Sequence, residues 1–86
     1  MQTRFVFTVT DAARFIGKSP VTLRGWERQG LVDLPRDRGG DRRFEVNDVR
    51  KLAQISYKMK RIPKTRLRMV EATLFLLDLL ERENRR

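Results

Sequence analysis

The chain has 86 residues, which is enough for one small domain with a modest hydrophobic core. It contains no cysteine and no histidine, so disulfides, thiolate or imidazole metal sites and histidine-based catalysis are excluded. Its 20 lysines and arginines stand against 11 acidic residues, and the net charge of +9 favours a polyanionic partner, above all nucleic acid.

A short extended segment is predicted before the first helix, since apolar residues alternate from Phe5 to Val9. Thr10 is then a candidate N-cap, and the first helix is predicted over 11–16. Gly17 can take the left-handed conformation that ends a helix.

The second helix is predicted to begin at Pro20, with Ser19 as its N-cap, and to end at Gly30. The turn between the two helices is therefore about three residues long. This spacing is typical of a helix-turn-helix, in which the second helix enters the major groove of DNA.

This second helix has an apolar side formed by Leu23 and Trp26, which we expect to pack on the first helix. Stacking of Trp26 on a base is a weaker alternative. Arginine can bind guanine through two hydrogen bonds, and valine or threonine can contact the thymine methyl group. The candidate DNA contacts of this recognition helix are Ser19, Val21, Thr22, Arg24, Gly25 and Arg28.

A β-hairpin is predicted next, because Gly39-Gly40 lies between two polar extended arms and both glycines accept a positive φ. Asp37 and Asp41 can pair with the arginines of the arms. A thin basic ribbon of this kind can lie along a minor groove or a phosphate ridge, although a solvated hairpin is the alternative. The candidate wing residues are Arg36, Arg38, Arg42 and Arg43.

The third helix is predicted to start at Asn47 or Asp48 and to end before Pro63, and the fourth to span about 64–84. Basic residues crowd the turn between them and would repel one another without an anionic partner. We expect sequence-independent phosphate contacts from Lys18, Lys58, Lys60, Arg61, Lys64 and Arg66.

The fourth helix is apolar on most of its surface. This apolar surface is larger than the rest of one small domain is expected to cover. Self-association is the favoured interpretation, and a helix folded back on its own domain is the alternative. The candidate dimerisation residues are Leu67, Val70, Leu74, Phe75, Leu77 and Leu80.

Together these elements predict a mainly α fold, a winged helix-turn-helix over 1–62 and an amphipathic helix over 63–86 of the same compact domain. The chain has no phosphate-binding glycine loop and its carboxylates are scattered, so we expect neither an enzyme nor a cofactor. No apolar run reaches the length of a signal peptide or a membrane span, which predicts a cytoplasmic protein of a bacterial cell or a phage-infected host.

Several of these motifs resemble the MerR-type winged helix. TVTDAA at 8–13 is similar to its opening, and GKSPVTLRGWERQGLV at 17–32 is similar to its recognition-helix signature. GGDRRF at 39–44 is similar to its wing, and Asp48-Val49-x-x-Leu52 to the start of its next helix. The resemblance covers about 7–70.

The resemblance implies a dimer bound to double-stranded DNA, with Arg24 and Arg42 at positions that the family uses on DNA. The family often has two tyrosines where this chain has Gly25 and Trp26, so the usual tyrosine–phosphate contact is not expected. The short chain and the missing cysteines argue against an inducer-responsive activator, so no small-molecule effector is expected.

Two kinds of short protein share this pattern. A phage excisionase, which bends DNA and has an integrase as a candidate partner, is the favoured interpretation; a stand-alone MerR-like transcription regulator is the alternative. A protein-interaction module with incidental basicity and an RNA-binding protein are weaker alternatives.

Overall fold

Four α-helices make up most of the chain in the computed structural model, which describes residues 4–41 and 43–83. The first two form the predicted helix-turn-helix, and the fourth packs against the first and the third. The helices are α1 (Val9–Ile16), α2 (Pro20–Arg28), α3 (Val46–Lys58) and α4 (Lys64–Glu83). Within the described ranges, no helix combines the length and the apolar composition needed to cross a bilayer.

Helix α1 begins two residues earlier than the sequence predicts, because Thr8 rather than Thr10 is its N-cap. The Asp11 amide donates to Thr8 Oγ1 at 3.1 Å, and the Thr8 amide donates to Asp11 Oδ2 at 3.1 Å. This reciprocal capping box satisfies two amides that the first turn leaves without partners, and so fixes the start of the helix.

Helix α3 also begins before its predicted start, at Val46 instead of Asn47 or Asp48. Glu45 occupies the N-cap position, and its amide donates to Asp48 Oδ2 at 2.8 Å. Asp48 is therefore the third helical residue, where its carboxylate also faces the positive end of the helix dipole.

The ends of α1, α2 and α3 share one geometry, with a left-handed residue just beyond the helix. These residues are Gly17 (φ 71°), Gly30 (φ 76°) and Lys60 (φ 60°). In each case the amide of the following residue donates back across the last turn at 2.9 Å, from Lys18 to Ala13, from Leu31 to Trp26 and from Arg61 to Ser56. The predicted helix ends at Gly17 and Gly30 are thus confirmed.

The core lies between the helix-turn-helix and helices α3 and α4. It contains Val9, Ala12, Ala13, Ile16, Leu23, Trp26, Val32, Leu34, Phe44, Val46, Val49, Leu52, Ala53, Ile62, Val70 and Leu74. Leu67 and Leu77 are partly buried against it. Val70 and Leu74 are fully buried in the domain, which corrects their predicted role in dimerisation.

The N-terminal segment ties α4 to the residue that follows the wing. Phe7 and Phe44 exchange two backbone hydrogen bonds of 2.7 and 2.9 Å, and the Phe5 amide donates to the buried carboxylate of Glu81 at 2.8 Å. The Phe7 ring meets Phe15 edge-on at 5.3 Å. The predicted extended segment is therefore present only as this short pairing.

The predicted β-hairpin wing is not seen: the described residues form no regular strand, and the chain there makes a closed loop instead. We call residues 35–43 the wing loop; Arg42 lies outside the described residues. The Asp37 amide donates to Asp41 O at 2.8 Å, and the Arg43 amide to Pro35 O at 2.8 Å. Of the two glycines, Gly40 takes the positive φ, 85°.

The carboxylate of Asp37 explains why a two-residue turn does not form. It accepts hydrogen bonds from the amides of Gly39 at 2.9 Å and Asp41 at 3.1 Å, and the Gly40 amide donates to Asp37 O at 3.1 Å. An aspartate that binds the amides of the next residues stabilises a wider turn, with glycine at its left-handed position.

Candidate nucleic-acid interface

Helix α2 carries one buried side and one exposed side. Leu23 is fully buried and Trp26 is 6% exposed, which fixes these two side chains in the core and confirms the core position of Trp26. On the outer side Val21 is 68% exposed and Arg28 is exposed, while Arg24 is half-buried. The exposed side of α2 therefore carries an apolar and a guanidinium group, two side-chain types that can contact base edges in a major groove.

The hydroxyl groups at the start of α2 are already engaged in capping. Ser19 Oγ accepts from the Thr22 amide at 3.1 Å and lies 2.9 Å from Thr22 Oγ1. Pro20 follows at the first helical position, so the predicted start of α2 is confirmed. Ser19 is consequently a cap in this structure, and the Thr22 hydroxyl shares its hydrogen-bonding capacity with Ser19.

Arg36 lies in the wing loop, but its guanidinium is held within the molecule. One nitrogen donates to Glu27 Oε1 of α2 at 3.0 Å, and the other donates to Gly40 O at 3.0 Å. From the sequence Arg36 is predicted to contact DNA directly, and no local signal points to Glu27 as its partner. Nine residues separate the two side chains, and no periodicity in the sequence places them together.

Arg66, expected to bind phosphate, also packs on the protein itself. Its guanidinium lies 3.3 Å from the point where a Cβ atom on Gly17 would sit, and so it covers the turn of the helix-turn-helix. The first turn of α4 is thereby placed beside the turn that precedes α2. Intramolecular arginine contacts thus flank α2 at both ends, from α4 near its start and from the wing loop near its end.

The other predicted cationic contacts within residues 4–41 and 43–83 present their charges without a described internal partner. Lys18 and Arg24 are half-buried and the rest are exposed. In residues 4–41 and 43–83 none of these side chains forms an ion pair; the described ion pairs join Arg4 to Glu45, Arg36 to Glu27 and Arg82 to Asp78. Among the predicted contact residues, the cations without a described partner are Lys18, Arg24, Arg28, Arg38, Arg43, Lys58, Lys60, Arg61 and Lys64.

These cations belong to three segments: α2 with the turn that precedes it, the wing loop, and the turn from α3 to α4. The Arg66–Gly17 contact joins the third segment to the start of α2, and the Arg36–Glu27 pair joins the second to its end. Burial of Leu23 and Trp26 fixes the orientation of α2 within the first segment. The arrangement therefore places cationic side chains around an exposed helix face, which suits a negatively charged, grooved partner.

Comparison with known proteins gives a family match over most of this region. The sequence profile of the family described as "MerR HTH family regulatory protein" matches residues 7–61. A Streptomyces coelicolor protein described as "Putative heat shock protein HspR" is 38% identical over 50 residues, which are 58% of this chain and 33% of that protein.

Among solved structures, the crystal structure of HiNmlR, described as a MerR family regulator lacking the sensor domain and bound to promoter DNA, has 32% sequence identity. The match has a TM-score of 0.47 and covers 83% of this chain and 56% of that one. The chain thus spans about a third of the HspR protein and about half of HiNmlR.

Proposed function

This chain belongs to the MerR family of helix-turn-helix regulatory proteins, and from that premise we propose that it is a transcription regulator that binds double-stranded DNA sequence-selectively. The observation that carries the proposal is the exposed side of α2, which lies opposite the buried Leu23 and Trp26. The helix-turn-helix of the family and the net charge of +9 support the same partner.

The exposed side of α2 supplies the groups for reading bases. Arg24 and Arg28 can donate to guanine O6 and N7, and the methyl groups of Val21 and Thr22 can contact thymine. Gly25 places no side chain on this face, so the helix backbone can approach the groove. These residues carry sequence selectivity in our proposal.

The remaining cations supply affinity without selectivity. Side chains from the turn between α3 and α4 and from the wing loop bind phosphates and release counterions from the DNA, which makes affinity depend on salt. Lys58, Lys60, Arg61 and Lys64 are the main group, with Lys18, Arg38 and Arg43 beside α2. Arg42 is proposed for the wing from its place in the family motif alone.

The family match favours a transcription regulator over the excisionase that the sequence pattern favours. The matched family is described as regulatory, and the match covers residues 7–61 of this chain. Transcription regulation is therefore our proposal.

The decisive experiment compares one base-reading residue with one phosphate-binding residue on a DNA site selected from a random pool. We expect Arg24→Ala to lose about 1–3 kcal/mol on the selected site and much less on random duplex. We expect Lys64→Ala to weaken both duplexes alike and to lower the slope of log affinity against log salt by about one.

Fluorescence anisotropy titrations at several salt concentrations would measure both effects, with duplex RNA as the competitor that tests the RNA-binding alternative. Equal losses on selected and random DNA for Arg24→Ala would contradict base reading by that residue. Absence of duplex binding by the intact chain at moderate salt would overturn the proposed function and favour a protein-interaction module.

We also propose that two copies associate through the exposed apolar face of α4. After the core residues of α4 are set aside, this face consists of Met69, Phe75, Leu76, Leu79 and Leu80, which are 39–60% exposed. Phe75 and Leu80 remain from the predicted dimerisation set. An apolar face of this kind favours burial against a second copy, and pairing doubles the DNA contacts.

Sedimentation equilibrium tests this association. Leu76 is 60% exposed, so we expect Leu76→Glu to leave the fold intact and to produce a monomer with weaker DNA binding. Leu31→Glu, at an exposed leucine after α2, is the matched control and should leave the mass unchanged. A monomeric wild-type chain at concentrations where it binds DNA would contradict the proposal.

A further inference from the structure

We propose that Arg36 and Glu27 form a clamp that sets the position of the wing loop relative to α2, and that Arg36 is a positioning residue rather than a phosphate contact. The inference deepens the proposed function and rests on it for its effect on DNA binding. The clamp itself is a property of the free protein, and it can be measured without DNA.

The geometry supports a clamp because one guanidinium joins two elements. Arg36 donates at 3.0 Å to Gly40 O within the wing loop and at 3.0 Å to Glu27 Oε1 on α2. A guanidinium is planar and presents its donors in a fixed fork, so binding two acceptors fixes the direction of both. The side chains of Arg36 and Glu27 are 45% and 20% exposed, respectively.

The other hydrogen bonds described within the loop do not have this role. The Asp37, Gly39, Gly40 and Asp41 bonds close the turn on itself, and they would survive if the whole loop swung away from α2. The Arg36–Glu27 bond resists that motion. Because Arg38 and Arg43 belong to the same loop, the clamp also sets the distance from their charges to the recognition helix.

Because Glu27 is negatively charged, the direction of the change in DNA affinity on its removal tests the proposal. A carboxylate beside a DNA-binding surface repels phosphates, so its removal should strengthen binding if electrostatics alone decides. If Glu27 holds the wing loop in place, its removal should weaken binding to the selected site. The two expectations have opposite signs for the same substitution.

The first measurement uses the full chain without DNA. Backbone ¹⁵N heteronuclear NOE values of Gly39 and Gly40 would be compared in wild type, Arg36→Ala, Glu27→Ala and the double variant, with Arg38→Ala as the matched control. We expect both single variants to lower these values, the double variant to lower them no further, and the control to leave them unchanged. Unchanged values in Arg36→Ala would overturn the clamp.

The second measurement is affinity for the selected duplex. We expect Glu27→Ala and Arg36→Ala each to weaken binding about fivefold, equivalent to about 1 kcal/mol, with a non-additive double variant. We expect Arg36→Lys to be weaker than wild type, because an ammonium keeps the charge but lacks the fork. Glu27 makes a further interaction, so Glu27→Ala can have effects beyond the clamp. If the two single variants differ in affinity, the Arg36 variants are the ones that test the clamp.

Two results would assign Arg36 to phosphate contact and overturn the proposal. One is tighter binding by Glu27→Ala. The other is wild-type affinity in Arg36→Lys together with a salt slope lowered by about one in Arg36→Ala. If the wild type binds no duplex, the proposed function fails, and the NOE comparison still decides whether the clamp exists.

Discussion

The turn after α1 and the turn after α3 have the same backbone design but different residues at the left-handed position. Each is closed by a 2.9 Å hydrogen bond across the last helical turn, and each is soon followed by a proline, Pro20 or Pro63. The first turn has Gly17 at φ 71°, and the second has Lys60 at φ 60°.

The two left-handed positions differ in the contacts and the charge that a side chain has there. At Gly17 the left-handed backbone favours glycine, and an added Cβ would lie 3.3 Å from the Arg66 guanidinium, which would have to shift slightly. At Lys60 glycine would also relieve the backbone, because a left-handed residue with a Cβ is disfavoured by about 1–2 kcal/mol. An exposed lysine is present there instead, and in our proposal its charge binds phosphate.

The largest expected effect comes from giving the first turn a side chain. We expect Gly17→Ala to lower the free energy of unfolding by about 2 kcal/mol, since the left-handed strain adds to displacement of Arg66. Urea denaturation measures it. Gly30→Ala is the matched control, because Gly30 has φ 76° and no atom within 4 Å of an added Cβ. Equal losses in the two variants would show that the Arg66 contact contributes nothing.

The second turn should respond in the opposite direction. We expect Lys60→Gly to raise the free energy of unfolding by about 1 kcal/mol, because glycine accepts the left-handed conformation without strain. The same variant should weaken binding to all duplexes and lower the salt slope by about one. Denaturation and salt-dependent titration test the two halves separately. Gain of stability with unchanged DNA binding would remove Lys60 from the phosphate contacts.

The smallest expected effect is at Gly25, a glycine that the backbone does not require. It lies inside α2, and an added Cβ would meet only the flexible end of Arg28, at 3.8 Å. We expect Gly25→Ala to raise the free energy of unfolding by about 0.5–1 kcal/mol, because alanine favours the helix. Thermal unfolding measures it, and a loss of stability would mean that the packing around α2 is tighter than the structure shows.

The parts of the fold predicted from sequence are those stabilised by neighbours in the chain. Ser19-Pro20 marks the start of α2 and Gly17 the end of α1, because capping and the left-handed conformation act within four or five residues. Even so, Thr10 was predicted as a cap in place of Thr8, since two threonines two residues apart offer similar local signals and only the bond to Asp11 separates them.

In the candidate site, too, the sequence predicts the positions that depend on neighbours in the chain and not those that depend on distant residues. The outward position of Val21 and Arg28 follows from the helical periodicity that buries Leu23 and Trp26. The positions of Arg36 and Arg66 do not follow from it, because each guanidinium contacts a residue on another element. From the sequence Arg36 is predicted as a wing contact and Arg66 as a phosphate contact, and the structure adds an internal contact for each.

By itself the amino-acid sequence determined four helices, the turn of the helix-turn-helix, the buried side of α2 and the family, because these depend on local capping, periodicity and motif spacing. The tertiary structure decided which leucines of α4 enter the core, how the wing loop closes, and which arginines are bound within the molecule. Those outcomes depend on the distance between groups far apart in the chain, and a one-dimensional pattern of charge and hydrophobicity does not contain that distance.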